Sequence, residues 1–203
     1  MKTLLISGFS GRMGQAAASF APEYGFAPRD FEIEKAGDLL MDFSHPDCLA
    51  DVLACPLPLV IGTTGYREEQ TRAIRQAAES RPIFWAANFS PGIHMLKTLA
   101  ELARGLLPDW QISLVETHHA KKRDAPGGTA RMLAENLQIT SVHSIRGGTV
   151  PGIHEIGFYG PEEHLTLTHT AESRAVFARG ALKAAAWLMD KGPGLYCMSD
   201  LYK

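Results

Sequence analysis

Between Glu116 and Ala130 the chain places two adjacent histidines, His118 and His119, then Lys121, Lys122, Arg123, Asp124 and the turn Pro126-Gly127-Gly128-Thr129. Histidine gives and takes protons near neutrality, and neighbouring cations lower its pKa, which eases release of the proton. A glycine turn opening a helix presents backbone N–H groups to an anion, here around Gly128 and Thr129. The ensemble suits a small carboxylate that must be protonated. A solvated basic loop would account for the lysines alone. On a strand His118 and His119 face opposite ways and do not readily share one metal. No HxxxH or CxxC accompanies them, so no metal site is expected.

A second constellation lies at the start of the chain, where Lys2–Ser7 runs into Gly8, Phe9, Ser10, Gly11, Arg12, Met13 and Gly14. A strand opening through glycines into a helix lets a pyrophosphate approach the backbone and the helix N-terminus. Arg12 adds a cation. The spacing is GxxGxxG rather than GxGxxG, and by itself it fits a plain tight turn as well. Two further turns follow apolar runs: Gly62-Thr63-Thr64-Gly65, and Ala86-Ala87-Asn88-Phe89-Ser90. Carboxyl ends of parallel strands are where open α/β sheets bind ligands, and three such turns favour a dinucleotide. The acid that would meet a ribose is not placed. Asp30, Glu32 and Glu34 are candidates, but prolines crowd the region and no strand is expected in 22–38.

The elements that must position these groups follow from hydrophobic periodicity. Strands are expected at 2–7, 39–43, 58–62 and 83–87, alternating with helices at 15–21 and 67–80, the pattern of an α/β layer. Pro91 sits near the start of a long amphipathic helix ending near 107. Strands are then expected at 109–119, 141–148, 152–160 and 164–171, with a helix at 129–137. Three strands in succession predict a mixed or antiparallel sheet distinct from the first. A closing apolar helix spans 177–190.

With 203 residues, 45% hydrophobic and a formal net charge of −2, the chain gives no electrostatic reason to expect nucleic acid or an anionic membrane as partner. Its apolar runs are too short to cross a bilayer, and Met1–Ser7 is too short for a signal peptide. Cys48, Cys55 and Cys197 form no CxxC and read as reduced thiols of a cytoplasmic protein.

The stretch ETHHAKKRDAPGGTA resembles the pattern E-x-H-H-x-x-K-x-D-x-P-S-G-T-A of the 4-hydroxy-tetrahydrodipicolinate reductase (dihydrodipicolinate reductase) family. GFSGRMG, MDFSHP, GTTG, AANFSPG and HTAESRAVFARGALKAAAWL resemble the same family in the same order. The resemblance implies reduction of a cyclic dicarboxylate by NADH or NADPH, on the diaminopimelate route to lysine, in a homotetramer. It also implies a Rossmann-like parallel-sheet domain (1–89 plus 175–203) and an α+β domain with a mixed sheet for substrate and assembly (90–174). Parts split in this way predict closure over the substrate. By motif, His118 is similar to the family's general acid/base and Lys122 to its second proton-donating residue. His119, Gly128 and Thr129 match substrate-binding positions. Gly8, Phe9, Ser10, Gly11, Arg12, Met13, Gly62, Thr63, Thr64, Ala86, Ala87, Asn88 and Phe89 match cofactor-contacting ones. Gly127 stands where the pattern has serine, and the chain is short around 22–38, where a second strand and its ribose-binding acid belong. Two other readings stay open: a non-catalytic dinucleotide- or metabolite-binding homologue, and a reductase of another small acid.

Overall fold

Leu4, Leu5 and Ile6 have no exposed surface, as a continuous apolar strand covered on both faces requires. They belong to β1 (Lys2–Ser7), at the centre of the first of two units, Met1–Phe89 with Ala175–Lys203. The computed structural model describes all 203 residues, Met1–Lys203. β1 pairs in parallel with β2 (Phe26–Asp30) on one side and β3 (Leu39–Asp42) on the other. β4 (Leu59–Ile61), β5 (Pro82–Trp85) and a short C-terminal strand, Gly194–Tyr196, extend the parallel sheet beyond β3. Strand order therefore reverses beside β1, and its carboxyl edge is the switch point at which such sheets take ligands. On one face α1 (Arg12–Phe20) and the closing helix, Ala175–Leu188, cover Leu4, Ile6 and Phe84. On the other, α2 (Leu49–Ala54) and α3 (Glu68–Ala78) cover Leu5, Leu40 and Ile83.

The expectation that 22–38 holds no strand is corrected by β2. Pro28 misled it. Proline cannot donate to a ladder, but β2 is the edge strand of the sheet, where a missing N–H is tolerated. The strand ends at Asp30, which pairs in register with Ile6.

The second unit, Ser90–Arg174, is built on a four-stranded mixed sheet. β6 (Gln111–His118) runs parallel to β7 (Ser141–Arg146) and antiparallel to β8 (Gly152–Tyr159), which pairs with β9 (His164–Ala171). α4 (Pro91–Leu106) and α5 (Gly128–Leu137) supply the rest of its core. Ser90 caps α4, its Oγ accepting from the Ile93 N–H at 3.2 Å. Register makes the inner face of the sheet change character along the strands. Leu114, Ile156 and Leu167 form an apolar row, and two residues further Glu116, His154 and His169 form a polar one.

Candidate active site

His118 ends β6, and its Nδ1 is bonded to a carboxylate oxygen of Glu116 on the same strand face. The other Glu116 oxygen accepts from Arg146 Nη2 at 2.5 Å and from the Gly127 N–H at 3.3 Å. Burial alone would push the Glu116 carboxyl up. Hydrogen bonds from Arg146, Ser144 and His118 outweigh it and hold the group down to about 2. For His118, burial lowers the pKa first, Glu116 opposes, and Lys122 and Arg146 push it down further. The lysine thus acts on His118 in the direction the sequence suggests. His154 lies edge-on to the His118 ring at 5.3 Å, and burial drives its pKa to about 4.

Lys122 follows in the loop, its Nζ bonded to both Asp124 oxygens at 2.8 and 2.9 Å. Gly127 leaves it room: a Cβ there would stand 3.0 Å from Lys122 Cε. Gly127 is also the N-cap of α5, with no side chain to cover the first turn, so Gly128 and Thr129 occupy the first helical positions. A Cβ on Gly128 would meet nothing within 4 Å. The α5 N-terminus is therefore open to a small anion. His119 leaves the strand and pairs instead with Arg174, Nε2 to Nη2 at 3.0 Å. No group of His, Cys, Asp and Glu side chains is placed to hold a metal.

In the first unit the glycine turn is shaped by necessity. Gly8 has φ +75°, and a Cβ on it would lie 2.6 Å from the Phe43 carbonyl oxygen. A Cβ on Gly14 would run into the Gly8 carbonyl oxygen. Gly11, the N-cap of α1, bonds its N–H to Gly8 O at 3.0 Å, and Arg12 begins the helix with its side chain exposed. Ser7 Oγ is buried beside this turn and makes no hydrogen bond in the protein. This cradle, with a buried hydroxyl beside it, fits a dinucleotide pyrophosphate held at the α1 N-terminus. Phe9 and Ser10 lie in the turn and Met13 in the first turn of α1. Gly62, Thr63 and Thr64 follow β4, and Ala86, Ala87 and Asn88 follow β5, on the same carboxyl edge. Phe89 is buried among Phe84 and Phe43. Tyr66 donates to Asp42 at 3.1 Å, and burial together with that charge pushes its hydroxyl pKa up.

The sequence profile described as "Dihydrodipicolinate reductase, C-terminus" matches residues 92–202, and its N-terminal counterpart matches 29–89. A curated relative named 4-hydroxy-tetrahydrodipicolinate reductase, from Caldanaerobacter subterraneus subsp. tengcongensis, is 36% identical over 100% of this chain and 99% of its own. This chain belongs to the dihydrodipicolinate reductase family. A 4-hydroxy-tetrahydrodipicolinate reductase from Rickettsia bellii is 42% identical over 83% of this chain and 77% of its own. Among solved structures, a dipicolinate-bound dihydrodipicolinate reductase from Paenisporosarcina sp. TG-14 superposes with a TM-score of 0.81 at 22% identity, covering 97% of each chain, and shows the same fold. The alignment with the Caldanaerobacter reductase runs over 248 positions, against 203 residues here. This member of the dihydrodipicolinate reductase family is a shortened one.

Glu116, Arg146, His154 and Arg174 join these contacts without having been singled out by residue type and spacing. For Glu116 a signal existed, since residues two apart on a strand share a face. The others join the site through strand register and chain return, which local spacing does not encode.

Proposed function

We infer that this chain reduces the cyclic dicarboxylate derived from 4-hydroxy-tetrahydrodipicolinate to tetrahydrodipicolinate, a step of the diaminopimelate route to lysine. The observation that carries the reading is the pair of buried Glu116 and half-buried His118 beside Lys122 and the open α5 N-terminus. Gly128 and Thr129 amides, with His119 and its partner Arg174, hold the carboxylates. His118 delivers a proton to ring carbon, and Lys122 supports it as second proton donor. Bound nicotinamide supplies the hydride. The glycine turn at 8–14, with the turns after β4 and β5, holds that cofactor. The rival reading of a non-catalytic module draws on the shortened cofactor region. β2 supplies a strand there, and the intact His118, His119, Lys122, Gly128 and Thr129 set argues against that reading.

A coupled assay following nicotinamide absorbance with freshly generated substrate tests the activity, and no turnover would reject it. In the same assay pyridine-2,6-dicarboxylate is expected to compete with substrate, because cations and helix amides can hold two carboxylates at once. Monocarboxylate pyridines binding equally well would reject that geometry.

We place cofactor choice at the end of β2, which closes on Arg29 and Asp30 in succession. Asp30 suits the ribose hydroxyls of NADH, and Arg29 suits the 2′-phosphate of NADPH. Both are expected to serve, with kcat/KM differing by less than about a thousandfold, roughly 4 kcal/mol. A larger ratio would reveal a selective pocket. Exposed Met95, Leu99, Leu102 and Leu106 along α4, with Ile145 and Tyr159 on the mixed sheet, support assembly as a homotetramer, which we place in the cytoplasm.

A further inference from the structure

Glu116 is fully buried, yet it is a carboxylate at the polar end of an otherwise apolar sheet face. A charge in that position is costly unless its oxygens are satisfied. One oxygen meets His118 Nδ1. The other receives Arg146 Nη2 at 2.5 Å and the Gly127 N–H at 3.3 Å. Arg146 in turn donates to the Asp124 carbonyl at 2.5 Å, within the same loop. A single buried carboxylate therefore ties the end of β6 to β7 and to the turn that opens α5. His118 Nε2 lies over Gly152 of β8, where a Cβ would stand 3.0 Å away, so this side of the ring stays clear only because that residue has no side chain.

We propose that Glu116 is the positioning residue of this site: its carboxylate holds the Nδ1–H of His118, leaving Nε2 to exchange the proton, and sets the place of the Gly127–Thr129 turn. This rests on the reading of His118 as the acid. In the step it describes, protonated His118 gives the Nε2 proton to the substrate carbon as that carbon's electron pair forms the new C–H bond. The N–H bond breaks, its electron pair stays on Nε2, and His118 is left neutral with hydrogen on Nδ1. Glu116 stays ionised throughout. One carboxylate thus orients both the acid and the amides that hold the anion.

The charged and titratable groups facing His118 are Glu116 on its own strand, Lys122 in the following loop, Arg146 on β7 and His154 on β8. His154 is neutral near pH 7, because burial lowers its pKa to about 4. Lys122 and Arg146 disfavour the imidazolium, and only Glu116 favours it. Removing the carboxylate must then lower the His118 pKa, whereas removing Arg146 must raise it.

The test compares wild type, Glu116→Gln, Glu116→Asp and Arg146→Gln by imidazole 15N NMR and by the pH profile of kcat/KM. Wild type is expected to show neutral His118 as the Nδ1–H tautomer. Glu116→Gln is expected to lose that preference, to lower the His118 pKa by about one unit or more, and to move the alkaline limb of kcat/KM to lower pH by the same amount. Its kcat at pH 7 should fall at least about tenfold, and KM for the dicarboxylate should rise. Glu116→Asp should restore the tautomer and most of the pH profile. An unchanged tautomer and pKa in Glu116→Gln, with only a lower Tm, would overturn the proposal and leave Glu116 a structural group. Should that variant not fold, Arg146→Gln reads the same wiring with the opposite sign, and an unmoved His118 pKa there would overturn it too. A shifted tautomer with an unshifted rate profile would instead sustain the Glu116–His118 coupling and remove His118 as the acid.

Discussion

Replacing His118 with glutamine is expected to lower kcat by about two orders of magnitude or more, close to 2.7 kcal/mol, the usual scale of general acid catalysis. KM should change little, because a group acting mainly in the transition state alters turnover more than binding. Glutamine is similar in length and can keep a hydrogen bond to Glu116, so the strand end should hold its shape. The pH dependence gives a second reading. As the acid, His118 must be protonated, and activity falls as pH rises through its pKa. Burial first, then Lys122 and Arg146, place that pKa below the ordinary histidine value in the free enzyme. The alkaline limb of wild-type kcat/KM should therefore lie below about pH 6.5. A bound dianion favours the imidazolium, so the limb of kcat should lie higher. In His118→Gln both limbs should vanish. An unchanged kcat would remove His118 from the chemistry.

Lys122 is expected to matter through charge and reach together, so that Lys122→Arg fails to restore function. Its ammonium is bonded to both oxygens of Asp124, and its Cε lies where a Cβ on Gly127 would press on it. An arginine would keep the charge and could still fork onto Asp124. It is bulkier in that gap, however, and its guanidinium does not give up a proton. Lys122→Arg and Lys122→Ala should both lose about a hundredfold or more in kcat/KM. Lys121→Ala and Arg123→Ala, measured alongside, should remain nearly normal. Small and equal losses at all three positions would mean a diffuse positive patch, and Lys122 would have no catalytic part. Rescue by arginine alone would make Lys122 an anchor for Asp124.

Much of this was legible in the chain itself. Apolar runs such as Leu4–Ile6 and Leu59–Ile61 can only be strands covered on both sides, and their alternation with helices fixes an α/β layer. Gly8, with its positive φ, and Gly14, packed on the Gly8 carbonyl, declare a tight strand-to-helix turn, because no other residue fits there. His118, Lys122 and the Gly127–Gly128–Thr129 turn stand close in sequence, so short-range order alone places them near one another. β2 was hidden because Pro28 argues against a strand unless the strand is known to be an edge, and edge status belongs to the sheet. The short C-terminal strand Gly194–Tyr196 becomes one only by pairing with β5, more than a hundred residues earlier. The tertiary structure alone decided what surrounds His118. Arg146 arrives by the parallel register of β7, and His154 by the antiparallel register of β8. These contacts set the charge state of Glu116 and the proton affinity of His118. The sequence singles out His118 as the candidate proton carrier, whereas the packing of three strands fixes which of its nitrogens faces Glu116 and in which direction its pKa moves.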